Sequence, residues 1–221
     1  GIMIDVAGTA SVLRCCVNKF RPDLANKTLL FPRAIQPKLW YPLSFIGGGG
    51  LCLRWFKETF AEEEKKKADK LDISPYEILN EKALEVKPGS EGILFVPHLG
   101  GRTFPPDSKI KGSWIGFSWN HDKKYFYRSI LESIAYEYKM YFTIIKKLFP
   151  EMNFSEVRVV GGGSNSDLWN QIKADVLGVP YVKVNEADVG LKGLALIAAK
   201  GLGLVNNLHE KMQEINKYTK T

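Results

Sequence analysis

Apolar and polar positions alternate with different periods along the chain, and the changes of period mark its elements. Ile2-Met3-Ile4-Asp5-Val6-Ala7 reads as a strand, Gly8-Thr9-Ala10-Ser11 as a turn, and Val12 to Val17 as a second strand. Strand-like runs follow at Thr28 to Phe31 and Leu39 to Ile46, separated by prolines. Gly47 to Gly50 leads into a helix whose apolar set is Leu51, Leu53, Trp55, Phe56 and Phe60, and a polar helical stretch covers Glu58 to Lys70. Ser74-Pro75-Tyr76-Glu77 combines a capping serine, proline at the first helical position and an acid in the first turn, which predicts a helix ending near Lys87-Pro88-Gly89. A short buried strand is expected at Ile93 to Val96 and a proline- and glycine-rich loop from Pro97 to Asp107. The longest helix is predicted from about Lys124 to Phe149, with Phe126, Ile130, Ile134 and Tyr138 on one stripe.

Farther on, Val157-Arg158-Val159-Val160 has the β-branched character of a buried strand, and Gly161-Gly162-Gly163 follows it directly. Ser164 with Asp167 three residues on reads as a capping box. The helix it would open, with Trp169, Ile172, Val176 and Leu177 at helical spacing, stops at Gly178 and Pro180. A small-residue helix is expected from about Gly190 to Gly201. Strands first, then helices, then a strand-turn-helix: the order predicts an α/β domain with a mixed sheet flanked by helices.

The composition, 45% apolar and 25% charged, is that of a globular protein, and the apolar run Leu194 to Ala199 is too short to span a bilayer. With no basic leader before an apolar stretch, a cytoplasmic location is expected and no membrane partner. Cys15, Cys16 and Cys52 make a poor disulfide framework and read as buried free thiols; His98, His121 and His209 have no metal spacing. The net charge of +7 suits polyanionic small molecules such as ATP better than nucleic acid. Its densest cluster, Lys65 to Lys67, follows Glu62 to Glu64, so Glu62/Lys66 and Glu63/Lys67 cancel as helical pairs, and no aromatic residues interleave there as a stacking platform.

Two glycine segments besides Gly161 to Gly163 offer chemistry. Without a Cβ, the backbone of each lets a ligand's phosphate or ribose approach closely. Gly8-Thr9-Ala10-Ser11 is either a polar β-turn or a cradle presenting N–H groups and two hydroxyls to an anion. Gly47 to Gly50 is either a flexible helix lead-in or a site of close backbone approach. A helix beginning after the third segment would aim its free N–H groups and positive dipole end at the turn. Arg102 is a candidate phosphate or interdomain contact or a loop-capping arginine. His98 reads as a loop histidine with no partner carboxylate to name, and Asp175 as a helix-surface acid.

The run Gly161-Gly162-Gly163-Ser164-x-Ser166-x-x-Trp169-x-Gln171-Ile172-x-Ala174-Asp175-x-x-Gly178-Val179-Pro180 closely resembles the adenosine-binding segment of the FGGY carbohydrate kinases. Gly8-Thr9 matches the family's second phosphate loop, with Ala10 in place of the usual Ser or Gly. Gly49 and Gly50 match the glycine that precedes its Trp-containing helix beside the nucleotide. Gly112-x-Trp114-x-Gly116-Phe117, followed by Phe126-x-x-Ser129-Ile130-Leu131-Glu132, resembles its second signature; Tyr125 and Phe117 depart from it.

The resemblance implies a ribonuclease-H-like fold of the actin and hexokinase type, with residues 1–221 forming the C-terminal nucleotide-binding domain of a xylulokinase-like sugar kinase. It implies ATP and Mg²⁺ as cofactors and a nucleotide site at Gly8, Thr9, Gly49, Gly50, Gly162, Gly163, Ser164 and Asp167. The sugar or polyol would be held mainly by an N-terminal domain that this chain does not include, and a homodimer is possible. The family's general base is an aspartate in a Gly-x-x-Asp segment well before the phosphate turn; Asp5 lies too close to that turn to be assigned the role, so no catalytic residue is expected in the chain. A first residue that is glycine and an opening straight into a strand give the same expectation of a fragment. The second functional reading is a non-catalytic nucleotide-binding or sugar-sensing module on this fold.

Overall fold

The computed structural model describes residues 1–184 and 188–215, in two compact units divided after Tyr181. The first is built on neighbouring strands in the order β2-β1-β5, in which β1 (Ile2–Ala7) pairs antiparallel with β2 (Ser11–Cys15) and parallel with β5 (Glu156–Val160); the short β6 (Tyr181–Lys183) runs through the division. Every second residue of the central strands turns to one buried face, where Met3, Asp5 and Ala7 of β1 lie beside Leu13 and Cys15 of β2 and Val157 and Val159 of β5. That face includes a carboxylate, Asp5, which an apolar face accepts only with a partner.

The expected strands at Thr28 to Phe31 and Leu39 to Ile46 are only isolated bridges, such as Leu30 to Leu43, Val17 to Trp40 and Ser11 to Ile46. Prolines at 32, 37 and 42 remove the donors a continuous ladder needs.

Helix α1 (Gly49–Phe60) and α2 (Glu62–Leu71) are divided at Ala61, inside the stretch Glu58 to Lys70 that the sequence reads as helical. In α2, Glu62 pairs with Lys66 at 3.7 Å as expected, whereas Glu63 lies 3.9 Å from Lys123 rather than with Lys67. Glu64 is buried and bonds Lys82 at 2.6 Å and Lys123 at 2.7 Å, tying α2 to α3 (Pro75–Leu84) and α4 (Lys123–Leu148). The capping serine and first-turn acid expected for α3 form a full capping box, with Ser74 Oγ accepting from the Tyr76 N–H and Glu77 Oε1 from the Ser74 N–H.

Strand β3 (Leu94–Val96) pairs with β4 (Ser113–Ile115), whose Trp114 lies within 5.6 Å of the rings of Trp55, Phe95 and Phe126. The Trp114 indole N–H donates to Ser129 Oγ, fixing this aromatic hub to α4. Helix α4 starts at the Asp122 cap and buries Ile130, Ile134 and Tyr138 completely. Helix α5 (Asp167–Leu177) ends at Gly178, whose φ of 71° completes the expected stop. In the second unit α6 (Val189–Gly201) and α7 (Leu208–Ile215) pack on each other. Among the described residues no helix is long and apolar enough to cross a membrane.

Candidate functional site

Two chain reversals meet at the ends of β1 and β5. Gly161 has φ 92° and ψ 176°, a conformation that side chains rarely adopt, and a Cβ there would lie 2.8 Å from the Ala7 carbonyl oxygen. The chain then makes a single 3-10 turn over Gly162–Asn165 before α5 begins. That extra turn corrects the expected capping box. Ser164 is buried inside the turn and donates to the Gly161 carbonyl at 2.7 Å, while Ser166 caps α5 by accepting from the Trp169 N–H at 3.2 Å. Asp167 is then the first helical residue, a favourable place for an acid.

The glycines after Ile46 serve close packing rather than flexibility. A Cβ on Gly48 would lie 2.0 Å from the Pro97 carbonyl oxygen, on Gly49 2.2 Å from Ser11 Oγ, and on Gly50 2.4 Å from the Gly8 carbonyl oxygen. The N–H groups of Gly50 and Leu51 donate to the carbonyls of Gly8 and Thr9 at 3.1 and 2.9 Å. Helix α1 thus uses its first free donors to hold the Gly8-Thr9 turn in place.

These pieces enclose a cavity of about 970 Å³. Its floor is formed by Gly8, Thr9, Gly50, Gly162, Gly163 and Asp167, six of the eight residues expected to face a nucleotide. Gly49 and Ser164 are not in its lining: the first is packed on Ser11 and the second is turned toward Gly161. Gly162 is open to the cavity, since a Cβ there would meet nothing within 4 Å. Gly163 is different, because a Cβ there would lie 2.6 Å from Trp169 Cζ3 and 2.8 Å from Ala7 Cβ, so its glycine is already required by the protein's own packing.

The cavity has a second wall with no counterpart in the sequence reading. It is made by Arg54 of α1 and by Ser74, Tyr76 and Asn80 at the start of α3. Arg54 forms no ion pair among the described residues and so brings an uncommitted cation to the cavity. The Tyr127 hydroxyl, buried beneath, donates to Asn80 Oδ1 at 3.1 Å, which orients the amide so that its N–H₂ group faces away from Tyr127. Burial, and then the neighbouring Tyr76, push the Tyr127 phenol far above its ordinary range, so it remains a donor at every accessible pH. Helical periodicity predicts α3 but gives no sign that its first turns reach across to a glycine turn.

Other candidates serve the scaffold. His98 does have a carboxylate partner, Glu137, with Nε2 and Oε1 2.8 Å apart; the pairing spans a loop and a helix and is invisible to spacing. Arg102 donates to the Phe104 carbonyl and closes the loop against Asp107 through the backbone. Asp175 accepts from Gln171 on the surface of α5, as expected. Cys15 and Cys52 are buried, and burial first of all pushes both thiols up to about 12; Cys16, expected buried with them, is exposed at the edge of the sheet. No group of three or more metal-ligating side chains occurs among the described residues.

A mixed sheet in which glycine turns at the ends of β1 and β5 line one cavity makes this an α/β domain with a ligand-sized cleft at its strand ends. This chain belongs to the FGGY family of carbohydrate kinases, C-terminal domain, whose profile matches residues 6–202. It is 34% identical over 205 residues to a xylulose kinase of Lactococcus lactis, covering 91% of this chain and 38% of that protein. To a gluconokinase of Bacillus subtilis it is 28% identical over 203 residues, 90% of this chain and 39% of that one. The structure superimposes on the ligand-bound xylulose kinase from Lactobacillus acidophilus with a TM-score of 0.78 at 23% identity, over 96% of this chain and 41% of that one. With the Plasmodium falciparum glycerol kinase crystallised with ADP the TM-score is 0.76 at 17% identity, over 99% of this chain and 42% of that one. The chain therefore spans about two fifths of the length of these relatives, and its fold is the actin- and hexokinase-like one that the sequence implies.

Proposed function

We propose that this chain is the ATP-binding half of a carbohydrate kinase that transfers the γ-phosphoryl group of ATP to a sugar or polyol hydroxyl. The observation that carries the reading is the convergence of the Gly8-Thr9 turn, the Gly162-Gly163 turn and Asp167 on one cavity large enough for a nucleotide. Phosphoryl transfer depends on positioning and charge neutralisation, and backbone N–H groups supply both without moving during the reaction. The Gly8-Thr9 turn is suited to the phosphates, as is the cation of Arg54. Asn80 and Tyr76, on α3, are suited to the base: the Asn80 N–H₂ group would donate to a ring nitrogen, and the spare lone pair of Oδ1 would accept from an exocyclic amine, the pattern adenine presents. Mg²⁺ would arrive on the ATP phosphates, keeping most of its water. The sugar and the general base would belong to a further, N-terminal domain, by likeness to the longer relatives.

Calorimetric titration of the chain with Mg·ADP should reveal one site, weakened about tenfold in Asn80→Leu, the scale of one or two lost hydrogen bonds. No heat of binding at millimolar ADP would overturn the assignment of the cavity. D-xylulose, D-gluconate and glycerol are the first acceptors to assay in a protein that carries both domains.

A further inference from the structure

The two glycine turns are joined underneath by a buried ion pair that the chemistry of the cavity does not use. Lys173 of α5 reaches Asp5 of β1, Nζ to Oδ2 2.6 Å, with both side chains 0% exposed. The other Asp5 oxygen accepts from the hydroxyl of Tyr138 at 2.6 Å, and Tyr138 is also fully buried. The Lys173 ammonium lies 4.4 Å from the ring centre of Trp169 and 5.2 Å from that of Tyr181. Trp169 in turn is locked by its indole N–H to the Leu131 carbonyl, and its ring edge occupies the space a Cβ on Gly163 would need. Asp5 stands three residues before Gly8 in the strand that delivers the phosphate turn. A continuous line of contact therefore runs from one turn to the other: Gly8, β1, Asp5, Lys173, Trp169, Gly163.

Stability alone does not account for such a pair. Two desolvated charges recover by their attraction little more than burial has cost them, and apolar residues of similar volume commonly do as well or better. What an ion pair with a second hydrogen bond to the same carboxylate does supply is a single allowed geometry, where an apolar contact tolerates sliding. We propose that Asp5 and Lys173 are positioning residues that fix the separation of the Gly8-Thr9 turn from the Gly161-Gly163 turn, so that one nucleotide meets both. The proposal rests on the cavity being the ATP site. It concerns placement, and neither residue touches the ligand.

The test is the apolar double variant Asp5→Leu/Lys173→Met in the full chain, with affinities for ADP and for adenosine read from tryptophan fluorescence and unfolding followed in parallel. On the proposed reading adenosine meets Tyr76, Asn80 and the Gly161-Gly163 side but not the Gly8-Thr9 turn, whereas ADP reaches both turns. The expected result is wild-type stability or better, adenosine affinity within about twofold of wild type, and ADP affinity lowered about tenfold, the usual scale of coupling between two sites. Unchanged ADP affinity overturns the proposal, and so does an equal loss for both ligands, which would mean local damage to the adenosine side. If the double variant does not fold, Tyr138→Phe decides. It removes one bond to Asp5 and changes little else, and it should weaken ADP but not adenosine; identical affinities for both ligands in Tyr138→Phe and wild type overturn the idea. Wild-type protein that binds adenosine and not ADP would overturn the ATP-site reading and the proposal together, whereas wild type binding both normally with a silent variant sinks the proposal alone.

Discussion

At the scale of single residues, adjacent glycines in one motif have different reasons for being glycine. Gly163 has no room for a side chain because Trp169 and Ala7 fill the space, whereas the space beside Gly162 is empty and opens into the cavity. Their valine variants should therefore separate folding from binding. Gly163→Val is expected to lower stability by about 1–3 kcal/mol, the usual cost of overpacking. Gly162→Val should leave the unfolding midpoint near wild type while weakening ADP about tenfold, because its side chain would enter the cavity proposed for the nucleotide. Thermal unfolding and ADP titration of both variants check this; a Gly162→Val protein with full ADP affinity would remove that turn from the binding surface. The sequence groups the three glycines as one feature because the motif gives spacing and not neighbours.

Among elements, the joints matter more than the helices themselves. Glu64 looks like one more charge in the run Glu62 to Lys67, yet it is the buried tie between α2, α3 and α4. Burial works to raise its pKa, but the ammonium groups of Lys123 and Lys82 prevail and hold the carboxyl below the ordinary glutamate value of 4.5. The unfolded chain therefore takes up this proton more readily than the fold does. Its contribution to stability is fully present above pH 4.5 and is lost as the pH falls through the lower value in the fold. Glu64→Gln should cost about 1–3 kcal/mol at neutral pH, the range for a charged hydrogen bond, and should flatten the acid limb of a stability-against-pH curve. An acid limb as steep as that of wild type in urea titrations from pH 3 to pH 7 would assign the loss to other carboxylates. Local signals were legible at this scale where they were complete within a few residues, as in the Ser74-Pro75-Tyr76-Glu77 start of α3 and the Gly178 end of α5. They failed where a neighbour decided: the 3-10 turn that moves the α5 cap from Ser164 to Ser166, and the prolines that reduce two expected strands to isolated bridges.

For the whole molecule, the sequence carried the fold class and most of the cavity floor, because strand, glycine turn and helix follow one another along the chain. The far wall and the Asp5–Lys173 pair were hidden because their partners are brought together only by folding; Asp5 and Lys173 are 168 positions apart. The division of labour proposed for the longer relatives leads to a paired expectation. Purified by itself, this chain should bind ADP and show no sugar-dependent ATP turnover, since no general base is assigned within it. In an enzyme that includes the sugar-binding domain, Thr9→Val should lower kcat by about tenfold to a thousandfold with a smaller change in KM for ATP, as loss of a donor used in the transition state does. Sugar-dependent turnover by the chain alone, or an unaltered kcat in Thr9→Val, would place the chemistry elsewhere.

The missing side chains at Gly48, Gly49 and Gly50 also have a mechanical consequence. With backbone pressed on Pro97, Ser11 and Gly8, the start of α1 is clamped on three sides and cannot slide or tilt without carrying the Gly8-Thr9 turn along. Turn and helix form one lever, its pivot at the end of β1 and its arm the length of α1, about 18 Å for twelve residues. A tilt of about 5° at the pivot would displace the far end, at Phe60, by about 1.5 Å on such an arm. Phe60 presses on Trp55 and Phe56, and all three reach Trp114. A small adjustment at the turn would thereby be delivered, enlarged, to the aromatic hub around Trp114.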